Sequence, residues 1–168
     1  NYSFTLQIGM TLEQGRRNYM EDRIEAKSWE PFPEILPNFK AALLAVYDGH
    51  GGAVTVEKVL ENLRIIIMKT WRDDFYQHLA VDCSNFDEVP ATMKLPEDSN
   101  QIPIKVPVAD CAPNMGPERD HLEQLSLMLL PNVLVKAFTK MQEILDIDWR
   151  ATGFSDGTTA VVNIFVHN

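Results

Sequence analysis

The chain has 168 residues, of which 45% are hydrophobic and 23% are charged, and its formal net charge is −9. This composition is ordinary for a globular protein of one domain, and the length is sufficient to bury a substantial core. The acidic balance argues against a general nucleic-acid or anionic-membrane surface, because both partners require a basic field. It is compatible with hard divalent cations, whereas a phosphate-bearing substrate would need a local cation.

No uninterrupted apolar stretch reaches the roughly 18 residues of a membrane-spanning helix, so we expect no membrane span. The chain begins with Asn1, which indicates a trimmed or processed chain, and no signal peptide is recognised. The two cysteines, Cys83 and Cys111, lack CxxC spacing. They are typical of free thiols in a reducing compartment, which favours an intracellular location, cytoplasmic or nuclear; a single disulfide is the alternative.

Three strands are predicted in the first third of the chain. Residues 3–10 alternate between apolar and polar, and residues 23–29 follow a polar loop with the pattern of a half-exposed strand. Residues 39–47 are apolar on both faces, which is typical of a central strand. Because several strands precede any helix, an antiparallel sheet is favoured over a parallel one, which needs a crossover between neighbours.

Two helices are predicted from apolar residues at helical spacing. The first begins near Val54 and extends toward Leu79. Residues 119–130 also favour helix, so Pro131 either begins the second helix or kinks a longer one. We expect both apolar stripes to face the core rather than a cofactor. The stripes comprise Val56, Val59, Leu60, Leu63, Ile66 and Ile67 in the first helix, and Leu134, Ala137, Phe138, Met141, Ile144 and Leu145 in the second.

Residues 83–117 hold six of the ten prolines, so a Pro-rich insertion is predicted between the helices. It is either a flexible insertion or a loop that docks a partner or regulates the protein. The β-branched, apolar run Thr158–Val166 predicts a final strand. Together these elements predict a single α+β domain over residues 1–168, in which helices pack on one face of an antiparallel sheet.

Three polar clusters interrupt this pattern: residues 15–22 (GRRNYMED), residues 48–52 (DGHGG) and residues 156–160 (DGTTA). Asp48 follows a buried strand, and Gly49 has no side chain to shield its carbonyl oxygen. Such oxygen ligands suit Mg²⁺ or Mn²⁺. An Asp-Gly pair is also a common turn signal, so a plain turn is the alternative for this segment.

Charged residues in the first two clusters are of the types that metal binding and phosphate chemistry require. Glu21 and Asp22 add two carboxylates, and successive residues of a strand point to opposite faces, so at least one would bind a metal through water. The guanidinium of Arg17 can hold phosphate oxygens through two parallel hydrogen bonds. His50 can titrate near neutral pH and donate a proton to a leaving oxygen. Each of these features, taken singly, also occurs on ordinary protein surfaces.

Three motifs follow one another along the chain: G-x-R-x-x-M-E-D, V-Y-D-G-H-G-G and G-T-T-A. In this order they resemble the N-terminal half of the catalytic domain of metal-dependent protein serine/threonine phosphatases, the PPM (type 2C) family. The resemblance implies an antiparallel β-sandwich flanked by helices, a four-layer α-β-β-α arrangement, with two Mg²⁺ or Mn²⁺ ions per complete site. It implies that Asp48 bridges the metals and that the Gly49 carbonyl binds one of them. Glu21 and Asp22 match acidic positions that act mainly through water.

The same resemblance assigns phosphate binding to Arg17 and the general-acid role to His50. The family hydrolyses phosphoserine and phosphothreonine in phosphoprotein substrates by attack of a metal-activated water, without a phospho-enzyme. Asp156 stands where the family usually has serine, and a tight turn tolerates aspartate. The family's later aspartate motifs do not occur before Asn168, so we expect this chain to be the first part of a longer phosphatase.

In that case the metal site and the sandwich would be incomplete in this chain, and sheet edges would be exposed. The alternative is a non-catalytic phosphatase-like domain that binds a partner or regulates one. An unrelated metal-binding domain with an accidental motif match is a weaker alternative, because three matched clusters coincide less easily than one.

Overall fold

The computed structural model describes residues 7–83, 116–153 and 155–167. These residues form an α+β fold, which confirms the predicted class. In chain order the elements are β1 (Arg23–Trp29), β2 (Lys40–His50), α1 (Val54–Cys83), α2 (Gly116–Thr152) and β3 (Gly157–His167).

The sheet has three antiparallel strands in the order β1-β2-β3. The prediction that β2 is the central strand is therefore confirmed, as are the predicted positions of β1 and β3. The strand predicted over residues 3–10 is wrong for residues 7–10, which are exposed and belong to no strand, while residues 1–6 lie outside the described residues.

Strand β2 extends three residues beyond Tyr47 and ends at His50. The Asp48-Gly49 pair therefore lies within a strand, and the plain-turn interpretation of this pair is wrong. The turn follows at Gly51 and Gly52, whose φ angles are 76° and 149°. Such positive values strain residues with a side chain, so glycine is required at both positions.

Helix α1 packs against all three strands, and α2 packs against α1. Trp149 in the last turns of α2 contacts Thr55 in the first turn of α1, whereas Lys136 contacts Asp74 farther along α1. The two helices therefore run antiparallel. The stripe predicted for α1 is confirmed as core-facing, since its members are buried or packed against the buried cluster.

Pro131 lies inside α2 rather than at the start of a helix. It is exposed, so water can bind the carbonyl oxygen that loses its intrahelical partner. The predicted stripe of α2 is confirmed for Ala137, Met141 and Leu145, which are buried, and for Leu134 and Ile144, which pack against the buried cluster. It is wrong for Phe138, which is 38% exposed, and the fully buried Val133 takes the inward position instead.

An aromatic cluster closes the end of the core where β2 begins. Phe32 stacks on Phe75 with ring centroids 4.0 Å apart, and both Phe32 and Phe39 meet the edge of Trp71. Burial of such large side chains and their ring contacts contribute strongly to stability. This cluster anchors the connection between β1 and β2, which contains Pro31, Pro33 and Pro37. The polar residues Asp48 and His50 lie at the opposite end of β2.

The face of the sheet that points away from α1 carries exposed apolar side chains. Val46 and Val161 are cross-strand neighbours and are 51% and 64% exposed, and Phe165 is 45% exposed. Exposed apolar side chains grouped on one face of a sheet commonly mark an interface.

Two further expectations concern the Pro-rich insertion between α1 and α2, and membrane-spanning segments. The predicted Pro-rich insertion falls largely on residues 84–115, which lie outside the described residues, and Cys111 lies there too. Within the described ranges, neither helix has the combination of length and apolar character needed to cross a membrane.

Candidate functional site

The three polar clusters of the sequence meet at the end of the sheet where β2 terminates. Asp48 and Gly49 pair with Thr159 and Thr158 of β3. On the other side of β2, the main-chain oxygen of Glu21 would lie only 2.5 Å from a Cβ placed on Gly49. Glycine is thus required at position 49 by the approach of a neighbouring backbone.

Glu21 is the buried carboxylate of this site, with its side chain 6% exposed. The main-chain N–H of Gly52 donates a hydrogen bond of 2.6 Å to Glu21 Oε1, and Nη1 of Arg17 lies 4.0 Å from Oε2. Arg17 itself is 71% exposed. Its guanidinium therefore lies near a buried carboxylate while most of its surface stays accessible to a ligand.

A cavity of about 350 Å³ opens beside this pair and is lined by Arg16, Arg17, Asn18, Tyr19 and Glu21. Two guanidinium groups thus border one cavity in a chain whose formal net charge is −9. Arginine binds phosphate and carboxylate groups through planar, bidentate hydrogen bonds. The cavity thus combines two guanidinium groups with the Glu21 carboxylate, and the binding of an anion by Arg17 stays a prediction.

Asp48 and His50 are both exposed and lie on one face of the sheet, because they are two residues apart in a strand. The hydroxyl of Thr158 donates to the main-chain oxygen of Asp48 at 3.1 Å. The imidazole of His50 lies against Gly157, where an added Cβ would be 2.6 Å from Nε2. The absence of a side chain at position 157 therefore gives the ring its place.

Behind Asp48, a buried polar network stabilises the inner face of the sheet. The hydroxyl of Tyr47 donates to Glu25 Oε2 at 3.0 Å, and Arg64 Nε donates to Glu25 Oε1 at 2.9 Å. Burial, followed by the neighbouring Glu25 charge, raises the pKa of Tyr47. Tyr47 therefore remains a neutral hydrogen-bond donor at physiological pH, and it holds β2 in place next to Asp48.

Asp156 is a residue of this site that the sequence marks only as a departure from a family pattern. It is 5% exposed, its Oδ2 accepts the N–H of Thr55 at 2.8 Å, and its Oδ1 accepts the Thr55 hydroxyl at 3.0 Å. Trp149 Nε1 in turn donates to the Thr55 hydroxyl oxygen at 3.2 Å. The Asp156 carboxylate thus caps the N-terminus of α1, where the helix dipole favours a negative charge.

One local signal could have pointed to this cap. The first intrahelical bond of α1 runs from the Glu57 N–H to the Ala53 carbonyl, which makes Ala53 the N-cap residue. Alanine has no side-chain oxygen for that role. A long helix that begins after Gly-Ala requires a capping group from elsewhere in the chain.

The predicted ligands of a hard cation are the exposed Asp48 carboxylate, the Gly49 carbonyl, and the acidic pair Glu21 and Asp22. Among residues 7–83, 116–153 and 155–167, however, no three His, Cys, Asp or Glu side chains are grouped closely enough to hold a metal ion. The structure thus brings Glu21, Gly49 and Arg17 together, but it does not gather Asp48, Glu21 and Asp22 into one carboxylate cluster. A cation held by Asp48 would keep water molecules or take further ligands.

Comparison with known proteins returned no match, either to a model of a protein family or to a curated protein.

Proposed function

We propose that this chain forms the first part of a metal-dependent protein serine/threonine phosphatase and that residues outside it complete the site. The single observation that carries the proposal is the convergence of the three polar clusters at one end of the sheet. An accessible arginine, a buried carboxylate and the exposed residues Asp48 and His50 meet there from separate parts of the chain.

In this proposal Arg17 binds the phosphate of a phosphoserine or phosphothreonine. Nη1 of Arg17 lies 4.0 Å from Glu21 Oε2, which is beyond hydrogen-bond length, so the guanidinium N–H groups are available for paired hydrogen bonds with phosphate oxygens.

Asp48 would hold a divalent cation, Mg²⁺ or Mn²⁺, with the Gly49 carbonyl beside it. When bound, such cations lower the pKa of water and offset charge on a transferring phosphoryl group. His50 lies on the same face of the sheet as Asp48 and would donate a proton to the leaving oxygen. Glu21 and Asp22 would contribute through water.

We further propose that the finer fold is the four-layer α-β-β-α sandwich of the PPM type. The exposed apolar face at Val46, Val161 and Phe165 supports this arrangement. A second sheet packed on this face would bury these side chains, while α1 and α2 would form the outer helical layer on the opposite side.

The proposal is tested with the full-length protein that contains this chain, by hydrolysis of a phosphothreonine peptide in the presence of Mn²⁺. We expect Asp48→Asn to reduce kcat/KM by about 10²-fold or more, the loss seen when a positioned catalytic group is removed. Asp73→Asn, at an exposed position of α1, is the matched control and should retain wild-type activity. Equal rates for wild type and Asp48→Asn would refute the proposal.

A second candidate is a non-catalytic phosphatase-like domain that binds a partner. It is favoured by large apolar side chains on the outer surface of α2, namely Met128, Val135 and Ile147, which are 76%, 67% and 65% exposed. The same assay separates the two candidates. Binding of the phosphopeptide without any Mn²⁺-dependent hydrolysis would favour the second.

A further inference from the structure

We propose that Asp156 is a positioning residue for the candidate site: its buried carboxylate supports the Gly51–Gly52 turn and, through that turn, orients Glu21 and Arg17. This inference rests on the proposed function, because it assigns Asp156 a part in phosphate binding. Asp156 would touch neither substrate nor metal.

Hydrogen bonds to Thr55 hold the side chain of Asp156 in place. Both carboxylate oxygens accept hydrogen bonds from Thr55, one from its N–H and one from its hydroxyl. The Thr55 hydroxyl oxygen also accepts the indole N–H of Trp149 in α2. Contacts with the N-terminus of one helix and, through Thr55, with the C-terminal turns of the other leave the carboxylate little freedom to move.

Asp156 also lies against the Gly51–Gly52 turn. A Cβ on Gly52 would lie 3.1 Å from Cβ and 3.3 Å from Oδ2 of Asp156, and a Cβ on Gly51 would lie 3.5 Å from its Cα. The main chain of the turn is thus packed directly on Asp156. Because both glycines adopt positive φ, the turn has backbone freedom that this packing must restrict.

This turn contacts Glu21, which lies beside the proposed phosphate-binding residue Arg17. The N–H of Gly52 donates to Glu21 Oε1, and the other oxygen of Glu21 faces Arg17. A shift of the turn would lengthen the bond to Glu21 and leave a buried carboxylate without its main-chain donor, which is unfavourable. The side chain of Glu21 would then move, and the negative charge beside the Arg17 guanidinium would move with it.

The residue after Asp156 extends the same effect to His50. Gly157 pairs with His50 in the β2–β3 register and provides the surface against which the imidazole lies. The segment that carries Asp156 therefore contacts the Asp48–Gly52 region at two points.

The experiment must separate positioning from simple stabilisation of α1. Asp156→Ala removes the carboxylate, whereas Asp156→Asn retains one side-chain oxygen that can accept the Thr55 N–H. Asp74→Asn is the matched control, because it weakens the bidentate contact of a buried carboxylate with Lys136 at the α1–α2 interface, away from the site. All variants are made in the full-length protein and assayed well below their melting temperatures.

For Asp156→Ala we expect KM for the phosphopeptide and the inhibition constant of inorganic phosphate to rise together by about tenfold, since small displacements of binding groups carry large costs. We expect kcat to change less. Asp156→Asn should restore most of the affinity, and Asp74→Asn should lower the melting temperature without changing either constant.

A second readout does not depend on turnover. The amide signal of Gly52 in an NMR spectrum reports its hydrogen bond to Glu21, and we expect Asp156→Ala to move it while Asp74→Asn does not. If Asp156→Ala lowers the melting temperature but leaves KM, phosphate inhibition and the Gly52 signal unchanged, the proposal is overturned. If the wild-type protein does not hydrolyse the phosphopeptide while Asp156→Ala still moves the Gly52 signal, the phosphatase function is refuted but the link from Asp156 to Glu21 is supported.

Discussion

The main-chain N–H of Gly52 donates a hydrogen bond of 2.6 Å to Oε1 of the buried Glu21. This bond joins the turn after β2 to the segment before β1. It thereby connects the polar cluster of residues 48–52 with that of residues 15–22. A carboxylate as buried as Glu21 requires such donors, because an unpaired charge in that position is strongly unfavourable.

Replacement of Gly52 by alanine should therefore destabilise the protein. The φ angle of 149° is unfavourable for any residue with a Cβ, and the new atom would lie 3.1 Å from Cβ of Asp156. We expect the free energy of unfolding to fall by about 1–3 kcal/mol, the usual cost of such backbone strain. Chemical denaturation measures this change.

Gly9→Ala is the control for that measurement. No heavy atom would lie within 4 Å of a Cβ at Gly9, and its φ is not positive. A Gly52→Ala protein as stable as the Gly9→Ala protein would contradict the described turn.

Replacement of Gly157 by alanine should affect activity more than stability. The added Cβ would be 2.6 Å from Nε2 of His50, which is the end of a side chain on an exposed face and can rotate away. With His50 as the general acid of the proposed phosphatase, we expect kcat of the full-length protein on a phosphopeptide to fall by about tenfold or more, because general acid catalysis depends on position.

The stability of the Gly157→Ala protein should change by less than about 1 kcal/mol, as is usual for substitutions at partly exposed positions. Thermal unfolding provides this comparison. An unchanged kcat would show that the orientation of the His50 ring against Gly157 is not needed for turnover.

The buried hydroxyl of Tyr47 should make stability sensitive to alkaline pH. Burial raises the pKa of Tyr47, with a further contribution from the adjacent Glu25 charge, so the folded state binds the proton more tightly than the unfolded state. The stabilisation is complete below the unfolded pKa of about 10 and is lost as pH rises above it, by up to about 1.4 kcal/mol per pH unit.

Denaturation of wild type and Tyr47→Phe at neutral pH and above pH 10 tests this. At neutral pH the variant should be less stable by about 1–3 kcal/mol, because Glu25 loses a donor while it stays buried. Above pH 10 the difference between the two proteins should narrow. Tyr19→Phe, at a position 60% exposed, is the control, and a constant difference at all pH values would be incompatible with the buried hydroxyl.

The elements that sequence patterns predicted well are those with strong local periodicity. Strand β1 and the apolar stripe of α1 agree with the structure, since their burial follows from the repeat of a strand or a helix. Phe138 shows the limit of this reasoning. An apolar residue at helical spacing stays exposed when the neighbouring helix covers a different arc of the surface.

The Asp48-Gly49 pair shows a second limit. Its dipeptide is a common turn signal, yet it continues β2 because Thr158 and Thr159 pair with it from the last strand. Contacts between residues so far apart in sequence are invisible to local turn rules. The turn moves instead to Gly51 and Gly52, where the φ angles require glycine.

The sequence by itself determined the α+β class and the central position of β2, and it predicts Arg17 as the residue that binds an anion and Asp48 and Glu21 as residues around a hard cation. These follow from composition, periodicity and side-chain chemistry, which are local properties. Only the tertiary structure decided that Glu21 is buried against the Gly52 N–H and that Asp156 caps α1. Both depend on long-range packing, because a charged group takes its role from the donors that the fold places beside it.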